Sequence, residues 1–222
     1  MRAYAESGFY VLYLVFMIGV GCHLLLSPAK REKSALFGAA CVLLGVGDAF
    51  HLIPRAVGLF EGTLDHPGAA LACWLGIGKL VTSITMTGFY VLLWYFLFRR
   101  SGAKRSAAGD GAVWALTLAR VVLCALPGNG WLQNASSLFW GTLRNIPFIL
   151  LGILVLLAAF RTMRAVKSFR LLWLAILLSF AFYLPVVFFA AEVSWVGMLM
   201  LPKTLMYAWI ALMSLSDSRE KI

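Results

Sequence analysis

The run Gly47-Asp48-Ala49-Phe50-His51-Leu52-Ile53-Pro54-Arg55 sets a carboxylate, an imidazole and a guanidinium among apolar residues. At a helical period, Asp48, His51 and Arg55 fall at i, i+3 and i+7 and share one face. A carboxylate one turn from a histidine can orient the imidazole as a general base. With Ser83 as the buried hydroxyl, that set would make a hydrolase. With Lys203 it would instead make a titrating relay. The cations elsewhere in the apolar sequence suggest a third chemistry. Lys79, Arg120, Arg144 and Lys203 are the residue types that hold an anion, arginine through paired planar donors and lysine as a point charge.

The elements that position these residues follow from composition. The chain has 222 residues, of which 62% are apolar and 13% charged. An ordinary soluble domain is roughly 45–50% apolar and about 25% charged, and a globule this small cannot hide such an excess. Seven stretches reach the roughly 20 apolar residues needed to cross a hydrocarbon core: 8–26, 35–56, 69–98, 111–127, 136–160, 169–190 and 194–215. Backbone groups in lipid must be paired internally, and the alternation of barrel strands is absent, so the spans are helices. The expected fold is an all-α bundle of seven transmembrane helices in one domain. The fourth span is the shortest and is interrupted by Arg120.

Arg2 alone precedes the first span and no small-x-small cleavage site follows it, so it reads as a retained helix. Basic clusters fall at Lys30/Arg31/Lys33, Arg99/Arg100/Lys104/Arg105, Arg161/Arg164/Lys167/Arg170 and Arg219/Lys221. All lie on one side of a seven-span path. The positive-inside rule then puts the N-terminus outside and the C-terminus in the cytoplasm. Topology accounts for the net charge of +10, and no nucleic-acid partner is needed.

Counted from the outer helix ends at about 1.5 Å per residue, Asp48, Lys79, Arg120, Arg144 and Lys203 lie roughly 10–15 Å deep. His51 is shallower and Arg55 is at the rim. Five cations in this layer face only Asp48 and Glu192, whereas buried charges require partners. The expectation is an outer-half pocket for an anionic amphiphile or small organic anion. Asp48, His51, Lys79, Ser83, Arg120, Arg144, Asn145, Lys203 and Tyr207 are its candidate residues. In this reading Lys79, Arg144 and Lys203 hold the anion while Asp48 orients His51 or a lysine. The alternatives are a proton- or ion-coupled transporter using Asp48, His51 and Lys203, a lipid hydrolase, and a structural bundle whose charges pair internally.

Membrane lipids are the expected partners, and no metal or cofactor is expected, because His23, His51 and His66 differ too much in depth. Cys22, Cys41, Cys73 and Cys124 lack zinc spacing. A Cys73–Cys124 disulfide is conceivable, but free thiols are the expectation. Asn134-Ala135-Ser136 matches a glycosylation sequon. Trp74, Trp131, Trp140 and Trp195 read as an interfacial aromatic belt.

Seven helices with an Asp and a His in the core are similar in architecture to alkaline ceramidases and progestin-receptor-like hydrolases. Those families carry His-x-x-x-His in the last helix, where this chain has Pro202-Lys203-Thr204. A seventh-helix lysine is also a rhodopsin feature. Here, however, Leu199 and Lys79 stand where microbial rhodopsins carry acids. The segments GDAFHLIPR (47–55), GKLVTSITMT (78–87) and LPKT (201–204) resemble a group of small bacterial seven-helix integral membrane proteins. That resemblance implies a bacterial plasma membrane and brings no activity with it.

Overall fold

A computed structural model describes residues 2–26, 31–135, 137–189 and 193–219. Glu192 and Ser136, both singled out above, lie outside the described residues. Seven helices follow one another: α1 (Arg2–Leu26), α2 (Arg31–Glu61), α3 (Ala69–Ser101), α4 (Ala107–Ala125), α5 (Leu138–Thr162), α6 (Leu172–Phe189) and α7 (Met200–Arg219). Among the described residues there is no strand. Each of the seven is long and apolar enough to cross a membrane. The least hydropathic is α4, with a mean hydropathy of 1.4, as its interruption by Arg120 foretells. All four cysteines are free thiols.

Two boundaries matter for the site. α1 begins six residues before the apolar run, so Glu6 lies inside it. The seventh span is divided: Ser194–Leu199 form a 3₁₀ turn and the α-helix starts at Met200. Pro202 therefore lies in the first turn, where a missing N–H costs nothing, and Lys203 follows it at the helix start.

α1 and α2 run antiparallel, as their contacts show. Arg55 near the end of α2 meets Glu6 near the start of α1, and Asp48 further back meets Tyr13 further on. Here the end of the bundle carrying Glu6 and Arg55 is called the Glu6 end; the opposite end carries Arg100, which is paired with Asp217.

α2 and α3 approach closely because small residues line their seam. A side chain at Gly78 would run into the carbonyl oxygen of Phe50, and one at Gly47 would meet Thr85. Pro54, inside α2, has no N–H to give the Phe50 carbonyl four residues back. That freed carbonyl lies against α3 where only glycine leaves room. Thr82 adds an interhelical bond, its Oγ1 donating to the Gly47 carbonyl at 3.1 Å, a common use of threonine between apolar helices.

The half toward Arg100 is closed by aromatic packing. Phe37, Phe96 and Phe169 are buried and stack at ring distances of 5.0–6.0 Å. Outward faces carry large apolar side chains, among them Leu12 at 74% exposure and Leu118 at 65%. A surface of this kind suits hydrocarbon rather than water.

Candidate functional site

The polar layer is built from two separate clusters, not one. The first surrounds a cavity of about 80 Å³ between α1, α2, α3 and the start of α7. Asp48, His51, Lys203 and Tyr207 line it, joined by Glu6, Tyr10 and Arg55. Glu6, Tyr10 and Tyr13 follow i, i+4 and i+7 on α1, so one face of α1 meets the Asp48–His51–Arg55 face of α2. That matching period was the signal that could have found them in the sequence.

At the rim, Arg55 Nε donates to the Tyr10 hydroxyl at 2.8 Å, and Tyr10 donates to Glu6 Oε2 at 3.0 Å. Arg55 Nη2 reaches the same Glu6 oxygen at 3.4 Å. Arg55 therefore has an acid partner, Glu6, besides the Asp48 and Glu192 counted for this layer from the sequence. Further in, the Tyr13 hydroxyl donates to Asp48 Oδ2 at 2.7 Å. His51 Nδ1 is buried with no hydrogen-bond partner among the described residues.

Lys203 is the unusual member. It is 4% exposed, and an ammonium has three N–H donors and no acceptor. Its contacts are the Met86 thioether at 3.7 Å and the ring faces of Tyr183 and Tyr207 at 4.6 and 5.7 Å. No oxygen of the described residues accepts from it. Asp48 shares the cavity without forming a direct ion pair. From Tyr207 a short run of hydroxyls leads deeper, Tyr207 to Tyr90 and Tyr90 to Ser179, each at 3.4 Å.

The second cluster joins α3, α4, α5 and the loop between α4 and α5, and among the described residues its cations meet neutral groups. Arg120, 2% exposed, donates through Nη1 to the Arg144 carbonyl at 2.8 Å and to Asn145 Oδ1 at 2.9 Å. Its guanidinium lies 4.1 Å from the centre of the Phe148 ring. Pro147 cannot donate to the Leu143 carbonyl one turn back, and Arg120 meets α5 at the adjacent carbonyl, that of Arg144. Arg144 donates to Asn129 Oδ1 at 2.8 Å and stacks on Trp131 at 4.5 Å. The Asn129 amide in turn donates to the Leu123 and Leu126 carbonyls at the end of α4. Lys79, exposed, donates to Asn134 Oδ1 at 2.7 Å.

The expectation that Lys79, Arg144 and Lys203 together hold one anion therefore meets a different geometry. Lys79, Arg120, Arg144 and Asn145 do not line the Lys203 cavity. Trp131, expected in an aromatic belt, instead donates through its indole N–H to the Cys124 carbonyl at 2.8 Å beneath Arg144. Ser83 lies outside the cavity as well. Its hydroxyl donates to the Lys79 carbonyl at 2.7 Å, so it is not paired with His51 as a nucleophile.

Tyr183 links the two clusters: its hydroxyl donates to Asn145 Oδ1 at 2.7 Å while Lys203 sits over its ring. Asn129, Asn134 and Tyr183 carry no periodic signal, since two are in a loop and the third is an aromatic in an apolar helix.

The class these features define is an all-α bundle with seven helices suited to a membrane and a small polar cavity near one end. Comparison with protein-family models, with curated proteins and with solved structures finds no match.

Proposed function

We propose that the chain is an integral membrane protein of a bacterial plasma membrane, N-terminus outside, that holds a small anionic group against Lys203. The carrying observation is the buried Lys203 ammonium, which borders a cavity and, among the described residues, contacts only a thioether and ring faces. A buried cation without an oxygen partner is costly, and an anion in the cavity supplies that partner. The cavity, about 80 Å³, has room for several waters or a small ion. It suits an anionic group the size of a carboxylate or a halide.

Thermal unfolding of the detergent-solubilised protein tests this. Acetate, propionate or chloride should raise the midpoint progressively with concentration. Lys203→Met, which keeps the stem and removes the charge, should abolish the rise. A midpoint indifferent to all three anions, or an equal rise in the variant, sinks the reading.

The orientation rests on the one-sided Lys/Arg clusters. In a cysteine-free background, Asp65→Cys should react with a membrane-impermeant maleimide on intact cells, and Lys104→Cys only after permeabilisation. The reverse pattern would invert the topology.

A second reading, proton-coupled transport, is favoured by one observation. The three groups able to form a relay, Asp48, His51 and Lys203, line the same cavity. Uptake of labelled acetate into liposomes, driven by an imposed pH gradient, distinguishes transport from binding alone.

A further inference from the structure

The charge balance of the cavity says what must accompany the anion. Four ionisable groups of fixed sign line it: Glu6 and Asp48 against Arg55 and Lys203. The lining is already neutral. A monovalent anion placed against Lys203 would leave one negative charge uncompensated inside a low-dielectric bundle, which is expensive. A proton arriving with the anion removes that excess.

Two groups in the cavity can take a proton. Asp48 already accepts the Tyr13 hydroxyl at 2.7 Å through Oδ2. His51 has a buried Nδ1 with no hydrogen-bond partner among the described residues. A neutral imidazole carries a proton on one nitrogen and a charged one on both, so protonation makes Nδ1 a donor for the incoming anion whichever tautomer preceded it. In the empty cavity the same proton would make three cations against two acids, so it has reason to arrive only with the anion.

Charges outside the lining are still felt inside it, Lys79 at His51 and Arg120 at Lys203. Lys79, Arg55 and Lys203 together oppose a proton on His51 until an anion is present. From α1 come Glu6 and the phenols of Tyr10 and Tyr13; from α2, Asp48 and Arg55; from α7, Lys203 and Tyr207. Tyr183 of α6 lies against Lys203. On α3, Lys79 is turned to Asn134. Arg120 of α4 and Arg144 of α5 are held by Asn145 and Asn129 behind Tyr183.

We infer that the cavity binds a monovalent carboxylate or halide together with one proton, accepted by His51. This rests on the anion-binding reading and adds its regulation by pH. The step is a proton transfer from solvent to the His51 imidazole; no covalent bond to the anion forms or breaks.

The test uses the full-length protein in weakly buffered detergent between pH 5 and 7, with a pH-indicator dye. Adding sodium acetate should alkalinise the medium by about one proton per anion bound, as linkage requires. Acetate affinity should fall as pH rises, by up to about tenfold per unit. His51→Gln should lose both the uptake and the slope, while Ser83→Ala, outside the cavity, keeps them. His51→Asn serves if the first variant does not elute as the parent does.

If acetate, propionate and chloride all fail to bind, the anion reading falls and this inference with it. Binding that is independent of pH and takes up no proton overturns this inference alone. Uptake that persists in His51→Gln and vanishes in Asp48→Asn overturns the assignment to His51.

Discussion

Replacing Arg120 by alanine should lower the stability of the detergent-solubilised protein by on the order of 3 kcal/mol. The guanidinium is almost fully buried and holds the Arg144 carbonyl and the Asn145 side chain. Each contact is a hydrogen bond from a charged group, worth about 1.5–3 kcal/mol, although Asn145 Oδ1 keeps the bond it accepts from Tyr183. The stacking on Phe148 is worth on the order of 2 kcal/mol when desolvated, and the truncated side chain leaves a void. Relief from burying a cation offsets part of this.

Arg120→Met, which fills the space without donors, should lie between wild type and Arg120→Ala. Arg120→Lys should fail to restore stability, because a point charge cannot reproduce a planar fork serving a carbonyl and an amide together. The readout is the thermal unfolding midpoint. An Arg120→Ala midpoint equal to that of wild type would show that the second cluster does not hold the bundle together.

Gly78→Ala should be as damaging, at about 3 kcal/mol or more, although it adds a single carbon. Overpacking a tight site typically costs about 1–3 kcal/mol when neighbouring side chains can adjust. Here the obstacle is backbone. The new Cβ would overlap the Phe50 carbonyl oxygen and lie 2.8 Å from His51 Cα. Helices α2 and α3 would have to separate, which weakens the Thr82–Gly47 bond and moves His51 in the cavity wall.

Gly19→Ala is the matched control, since nothing lies within 4 Å of its added carbon, and it should be near neutral. Unfolding midpoints and acetate binding would be measured on both. A Gly78→Ala protein with wild-type midpoint and affinity would mean that the α2–α3 seam yields easily and does not set the cavity.

The two substitutions separate two kinds of information in the chain. Arg120 looked like an intramembrane anomaly, and its position was legible from the apolar run around it. Its role was not, because the acceptors that satisfy it belong to α5, and the ring it stacks on is Phe148. A count of acids against bases omits carbonyl oxygens, amides and ring faces. Those neutral groups account for Arg120, Arg144 and Lys79, and Glu6 accounts for Arg55. Among the described residues, Lys203 alone in that layer has no oxygen as a hydrogen-bond partner.

What the sequence alone determined was the number of helices suited to a membrane, their order, and which faces carry Asp48, His51 and Arg55. Those properties follow from local hydropathy and helical period, which are written along the chain. The tertiary structure decided which polar faces meet. It put Glu6, Tyr10 and Tyr13 opposite Asp48 and Arg55, turned Lys79 toward Asn134, and left Lys203 bordering the cavity. The physical reason is that a period fixes a residue's face on its own helix, whereas its partner depends on the rotation and depth of a neighbouring helix. Those are set by the summed packing of the whole bundle, down to one glycine against one freed carbonyl.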